Sequence, residues 1–348
     1  SKYELDNNLA RVLLKPFGTE PRFIMLGLML ITAVFSMFMS NTATTVMMLA
    51  LLGPIVASAP KGDMGIKALV LCIPIAANTG GIATPIGTPP NAIALQYLTG
   101  ENSIDFLSWM MMGLPFVIIQ LTIAWFLLQK FFPSKERNMV LKLDGQFRKS
   151  WRAIVVYVTF AATILLWMTT KLHGMNTYVV SIIPLAVFTL TGIMGKEELK
   201  LINWDVLWLV AGGIAIGIGL DKTGLAVALA HAIDYESLSP TAVVLTLSIV
   251  CWLMANFMSN TATANLLMPI AAAIGASMES LVAIGGLQGL LVVVAFSASL
   301  GMILPVSTPP NSLAYSTGLI ESKDMAKMGI ILGIVGLLMV YLALFIIT

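Results

Sequence analysis

Charge is scarce in this chain. Only 10% of its 348 residues are Asp, Glu, Lys or Arg, and long runs hold none of them. Cysteine occurs twice, at Cys72 and Cys251, inside apolar segments far apart in sequence. That pair suggests no disulfide framework, and a metal centre needs more ligands than are gathered here. Both thiols read as small buried hydrophobes. Histidine also occurs twice, and His173 and His231 fall at segment ends, where a surface or interfacial position is expected. There is no Gly-rich nucleotide loop, no nucleophile–base pair and no nucleic-acid motif, so no enzyme, cofactor or nucleic-acid partner is expected. What the chain has instead is 58% hydrophobic residues and a mean hydropathy of +0.93. Those values describe an all-α, multi-pass protein of the cytoplasmic membrane, with the lipid bilayer as its first partner.

Small polar residues and prolines interrupt this apolar background in a pattern that occurs twice. Phe38-Met39-Ser40-Asn41-Thr42-Ala43-Thr44 returns letter for letter 219 residues later as Phe257-Met258-Ser259-Asn260-Thr261-Ala262-Thr263. Each copy is followed by a second motif, Pro85-Ile86-Gly87-Thr88-Pro89-Pro90-Asn91 and Pro305-Val306-Ser307-Thr308-Pro309-Pro310-Asn311. Polar groups at membrane depth are expensive and ask for a reason.

The charge-free runs are 23–60, 68–100, 106–129, 153–170, 174–195, 206–220, 238–278, 280–320 and 328–348. A spanning helix needs about 20 apolar residues, and the two runs carrying Ser-Asn-Thr are far longer. Each reads as two short arms meeting at a polar tip, a hairpin that enters the membrane and returns, because Ser-Asn-Thr is turn and N-cap chemistry. The alternative is one long kinked helix plus a surface helix. Runs 68–100 and 280–320 carry the Pro-Pro pairs, which no helix passes undisturbed. They are expected to be discontinuous helices, with free carbonyls and amides tolerated only against protein or a cavity.

Five crossings separate the two Ser-Asn-Thr tips, and an odd number gives the two repeats opposite orientation, the plan of secondary transporters. The charges fit that threading. Segment 130–152 holds Lys130, Lys135, Arg137, Lys142, Arg148, Lys149 and Arg152 against Glu136 and Asp144, and so faces the cytoplasm. From there only Lys171 and Lys222 of the 19 basic residues fall outside. Trp151 and Trp204 read as interfacial anchors, and 130–152 as a segment able to lie on the membrane surface.

The expected division is as follows. Residues 1–22 are the end of a scaffold segment with its connector. Residues 23–132 form the first transport half, with hairpin 23–60, broken helix 66–97 and helix 105–132. Residues 133–152 are a basic linker and 153–239 scaffold helices. Residues 240–348 form the second transport half, with hairpin 240–278, broken helix 284–317 and helix 326–347. Leu5-Asp6-Asn7-Asn8-Leu9-Ala10 weakly resembles the stretch from Leu220 to Ala226, which has three apolar segments before it. The first repeat is therefore expected to lack its N-terminal scaffold helices.

Around the tips the sequence offers hydroxyls, carboxamides and backbone groups but no ionisable side chain. A proton-coupled carrier usually needs one. Oxygen ligands without a carboxylate suit a monovalent alkali cation such as Na⁺ better than a divalent one. An anionic substrate would be held by hydroxyls, Asn amides and helix N-termini, with bound cations offsetting its charge. The alternative is that both motifs only pack and cap.

With four motifs in this order, Ser40-Asn41-Thr42, Ser259-Asn260-Thr261 and the two Thr-Pro-Pro-Asn stretches at 88–91 and 308–311, the chain resembles the divalent anion:sodium symporter family of di- and tricarboxylate transporters over nearly its whole length. The resemblance implies an elevator transporter, a transport domain moving against a dimeric scaffold. It implies one sodium site from Ser36, Ser40, Asn41 and Gly87. A second would use Asn260 with carbonyls near Ala255, Met258 and Ser307. Ala255 departs from the expected hydroxyl residue. Substrate carboxylates would meet the tips (Ser40, Asn41, Thr42, Ser259, Asn260, Thr261) and the breaks (Thr88, Pro89, Thr308, Pro309). The implied activity is sodium-coupled symport of succinate-, malate- or fumarate-like dicarboxylates. Exchange without sodium coupling and a tricarboxylate or sulfate carrier are alternatives within transport. An ion channel and an intramembrane hydrolase compete from other classes. Two closed hairpin tips argue against the first, and the lack of a base or metal in the core against the second.

Overall fold

The computed structural model describes residues 5–58, 63–136, 138–139, 150–202, 204–225, 228 and 238–347, and among these every regular element is a helix. In chain order they are α1 (Leu5–Leu14), α2 (Pro21–Phe38), α3 (Asn41–Ser58), α4 (Met64–Gly81), α5 (Pro89–Tyr97), α6 (Phe106–Phe131), α7 (Trp151–Met168), α8 (Thr170–His173), α9 (Thr177–Leu190), α10 (Lys196–Lys200), α11 (Trp204–Lys222), α12 (Pro240–Phe257), α13 (Asn260–Ser277), α14 (Gly286–Ser299), α15 (Pro309–Ser316) and α16 (Ser322–Ile347). Lys61, Arg137, residues 140–149, His231 and Glu236 lie outside the described residues.

Local chemistry sets these boundaries. Proline stands at the first turn of α2, α5, α12 and α15, where its missing N–H has no intrahelical role. Asp63, Asp105, Ser150, Asn176 and Ser239 accept from backbone N–H groups at the starts of α4, α6, α7, α9 and α12. Among the described residues, six helical stretches are long and apolar enough to cross a membrane: Pro21–Phe38, Met64–Gly81, Gly100–Phe131, Trp151–Met168, Pro240–Phe257 and Ser322–Leu342.

Packing runs in parallel in the two halves. Helix α4 packs on α2, α3 and α6, just as α14 packs on α12, α13 and α16. The halves also interleave. Helix α3 packs on α15 while α13 packs on α5, and α4 meets α15 while α14 meets α5. Within each half, the last helix approaches the broken one closely at a matched glycine. A Cβ on Gly113 of α6 would stand 2.8 Å from Ala83 Cα, and one on Gly329 of α16 would stand 2.6 Å from Ile303 Cα. Polar ties cross between halves too: Lys67 Nζ lies 2.7 Å from Asp324 and 3.2 Å from Glu321, and Gln120 Nε2 donates to Leu332 O at 2.7 Å. Lys323 and Lys67, hydrogen-bonded to the exposed Glu321 carboxylate, hold it below the usual carboxylate range.

Helices α7 and α9 pack on each other and meet the rest at the start of α6 and the end of α2. Phe106, Met110, Trp167 and Val180 form a small buried cluster of their own. The Phe106 and Trp167 rings stack there at 5.2 Å, and Lys171 pairs with Asp105 at 3.2 Å. His173 caps the same end, its Nε2 lying 2.8 Å from Leu166 O while its Nδ1 accepts from Met175 N. Trp151 and Trp204 are exposed. Both cysteines are buried and free.

Candidate functional site

Two helix ends and two helix starts define each half of the site. Helix α2 stops at Phe38 and α3 begins at Asn41; α12 stops at Phe257 and α13 begins at Asn260. The serine between each pair is an N-cap. Ser40 Oγ accepts from Ala43 N at 3.2 Å, and Ser259 Oγ from Ala262 N at 3.1 Å. Both serines are exposed, while Asn41, Thr42, Asn260 and Thr261 are half-buried at the first helical positions. The free N–H groups there and the helix dipole favour an anion.

Discontinuity in the neighbouring helices is repaired by one side chain each. Helix α4 ends at Gly81 and α5 resumes at Pro89; α14 ends at Ser299 and α15 resumes at Pro309. The buried Asn91 amide donates to Gly81 O, Ile82 O and Thr84 O at 3.2, 3.2 and 2.8 Å. Asn311 does the same for Met302 O and Leu304 O at 2.9 and 3.0 Å. The Pro-Pro pairs leave no N–H at the first two positions of α5 and α15. First-turn N–H groups stand at the starts of α3 and α13, while Thr88 and Thr308 bring hydroxyls to the starts of α5 and α15. Pro89 is half-buried and Pro309 exposed.

Oxygens converge beneath the first tip. One end of the Asn41 carboxamide lies 2.5 Å from Ser36 Oγ, 3.1 Å from Gly87 O and 3.3 Å from Ala77 O. Ser36 Oγ in turn lies 2.7 Å from Ala77 O. With nitrogen at that end, the amide donates to both carbonyls. With oxygen there, four oxygens share a single hydroxyl proton, an arrangement that a cation would relieve. Which atom points inward is a property of the hydrogen-bond network. Gly81 closes the cluster: a Cβ there would stand 2.8 Å from Asn41 Oδ1 and from Gly87 O. Of the residues expected for the first sodium site, Ser36, Asn41 and Gly87 come together here, while Ser40 keeps its capping role on the exposed side.

The second half is built differently. Ala255 presses against the backbone of Gly301, where a Cβ would stand 2.5 Å from the Ala255 methyl. Asn256, in the place of Met37, carries the polar role: its Oδ1 accepts from Ile303 N at 2.8 Å and its Nδ2 donates to Trp252 O at 2.7 Å. Ser307 Oγ donates to Asn256 O at 2.9 Å. In the first half Thr84 Oγ1 donates to the matching carbonyl, Met37 O. Among the described residues Asn260 Oδ1 is buried without a hydrogen-bond partner, as are the matched hydroxyls of Thr44 and Thr263. Met258 is exposed. The halves meet through Asn78, whose Nδ2 donates to Thr308 Oγ1 at 3.0 Å and Asn311 Oδ1 at 3.1 Å.

Sequence reasoning missed Asn78, Asn91, Asn256 and Asn311. Two of them stand inside the repeated motif, and Asn256 differs from its counterpart just upstream of it. Asn78 carried no such signal. A cavity of about 570 Å³ lies at the opposite ends of α2 and α4, beside Arg22, Gly65, Gln129 and Ser134, and takes no part in this constellation.

A family model described as citrate transporter (CitMHS) matches residues 2–287. The chain is 30% identical to the sodium-dependent dicarboxylate transporter SdcS of Staphylococcus saprophyticus, across 99% of this chain and 73% of that protein. It is 28% identical to the protein of the same name from Staphylococcus aureus, across 99% and 72%. With the sodium-dependent high-affinity dicarboxylate transporter 3 of Caenorhabditis elegans it shares 27% identity, across 94% and 68%.

Proposed function

Since the chain belongs to the divalent anion:sodium symporter family, and is a multi-pass plasma-membrane transporter rather than an enzyme, we propose that it couples inward sodium movement to uptake of a C4 dicarboxylate such as succinate, malate or fumarate. The observation that carries this reading is the oxygen cluster around Asn41, set directly beneath a helix N-terminus and free of ionisable groups. Neutral hard oxygens suit Na⁺. The dianion rests against the tips and the Thr88 and Thr308 hydroxyls, with Ser36, Asn41, Gly87 and the Ala77 carbonyl holding one cation. Asn260, with its orphaned Oδ1, and the carbonyls near Ser307 hold a second. The relatives' names, which say sodium-dependent and dicarboxylate, support the same pairing.

In this reading α2–α3 and α12–α13 are re-entrant hairpins of two inverted repeats. The halves built around them slide as one elevator body against α7–α11, in a homodimer. The matched contacts of the two halves support the repeats. The sparse contact of α7 and α9 with the rest, at the start of α6 and the end of α2, supports a separate scaffold.

Charge compensation makes the reading testable. Either charge alone in a dry site carries a desolvation cost of several kcal/mol, so cation and dianion stabilise each other. Succinate titrated by calorimetry should bind about 5- to 150-fold tighter in sodium than in choline at equal ionic strength, and Na⁺ should tighten by the same factor with succinate. Equal succinate affinity in both salts would contradict the symporter and favour an exchanger whose helix amides hold the carboxylates alone.

A further inference from the structure

This inference rests on the sodium-coupled reading and concerns how ion and substrate feel each other. Asn78 stands near the end of α4 and is 1% exposed. Both its amide hydrogens go to the other half of the protein, to Thr308 Oγ1 and Asn311 Oδ1, residues 230 and 233 positions later. Its own Oδ1 is buried without a partner among the described residues. Thr308 Oγ1 also accepts from Asn311 N at 3.2 Å. A hydroxyl has two acceptor lone pairs and one proton. With both lone pairs taken, the Thr308 proton is the part left to donate, and it is aimed away from both Asn78 and Asn311.

The residue before Asn78 belongs to the first cation cluster. Ala77 O accepts from Ser36 Oγ at 2.7 Å and faces the Asn41 amide at 3.3 Å. One peptide therefore carries the cation cluster on its carbonyl and the Thr308 orientation on the next side chain. The arrangement is not repeated. The position matching Asn78 is Ala298, and the Thr88 side chain caps nothing at the start of α5, whereas Thr308 caps α15. A brace present on one side only is not required by the packing that both halves share.

The geometry points to Asn78 as a positioning residue that couples occupancy of the first cation cluster to the substrate-facing hydroxyl of Thr308. Binding of Na⁺ to the Ala77 carbonyl fixes the Ala77–Asn78 peptide, and this holds the amide that orients Thr308 in the second half. The reverse follows by reciprocity.

The test is the sodium–succinate coupling factor, the ratio of succinate dissociation constants in choline and in saturating sodium, for the full chain in detergent. Asn78→Ala should bring a wild-type factor of about 5–150 to near one, by weakening succinate in saturating sodium by about that same factor while its affinity in choline changes little. Sodium affinity measured without succinate should stay within about twofold of wild type, since no Asn78 atom is asked to ligate the ion. Asn78→Ser, which keeps one donor, should give an intermediate factor and serves in its place if the alanine variant does not fold. Gln120→Ala removes a comparable buried tie between the halves and should keep the wild-type factor. A wild-type factor in Asn78→Ala or Asn78→Ser, or an equal loss in Gln120→Ala, would overturn the assignment while leaving the symporter reading intact. A wild-type protein without sodium dependence would overturn both.

Discussion

Adding one methyl group at Gly81 should damage sodium binding while leaving the fold in place. A Cβ at this position would stand 2.8 Å from Asn41 Oδ1 and 2.8 Å from Gly87 O, against an ordinary contact of 3.4–4 Å. Each oxygen must therefore retreat by roughly 0.6 Å, or the backbone of α4 must bend. The two backbones already touch on the other side, where a Cβ built on Gly87 would stand 2.4 Å from Gly81 O. Overpacking of this kind costs about 1–3 kcal/mol. Both displaced atoms belong to the proposed cation cluster, so the strain falls on the site and translates into roughly a 5- to 150-fold loss of sodium affinity. The assay is a sodium titration of purified Gly81→Ala by calorimetry, with thermal unfolding recorded in parallel. Gly53→Ala is the matched control: nothing lies within 4 Å of its added methyl, and its sodium affinity should not change. A folded Gly81→Ala that binds sodium within twofold of wild type would refute the assignment of Asn41 and Gly87 to a cation.

Two further predictions address threading and movement. In a background without Cys72 and Cys251, single cysteines at Lys135 and Lys171 should be labelled from the cytoplasmic and the outer side respectively; same-side labelling would contradict the inverted repeats. Trp167→Ala removes the stack on Phe106 (5.2 Å), worth about 0.5–1.5 kcal/mol beyond its buried area. It should change the transport rate in proteoliposomes several-fold, with the succinate KM held within twofold. An unchanged rate would mean that α6 and α7–α9 move as one body.

Much of the helix pattern was legible because its breaks are local. Ser40 and Ser259 are caps wherever the chain goes, and Pro89-Pro90 and Pro309-Pro310 interrupt a helix in any surroundings. The candidate site was legible to the extent that it coincides with those breaks, where Asn41, Gly87 and Thr308 stand, whereas Ser36, inside α2, was named only through the family resemblance. The rest depends on contacts between distant residues. Asn91 and Asn311 satisfy carbonyls that exist only because the helices stop, so their role follows from the fold and not from their identity. Asn78 finds Thr308 across 230 positions, and no spacing announces such a partner. The free amides expected at the breaks are another case. The two prolines at the start of α5 and of α15 have no N–H to offer, so the donors proposed there are the hydroxyls of Thr88 and Thr308.

The interleaving of the halves sets a schedule for biosynthesis. Helices α3 and α4 pack against α15, and α5 packs against α13 and α14, so the first half emerges long before the surfaces that cover it. At about 5–20 residues per second, Thr308 leaves the ribosome roughly 12–46 s after Asn78, 230 positions earlier. Throughout that interval the faces of α3, α4 and α5 that pack on α13, α14 and α15 stand without their permanent neighbours. The nascent chain must therefore be held open until its second half arrives.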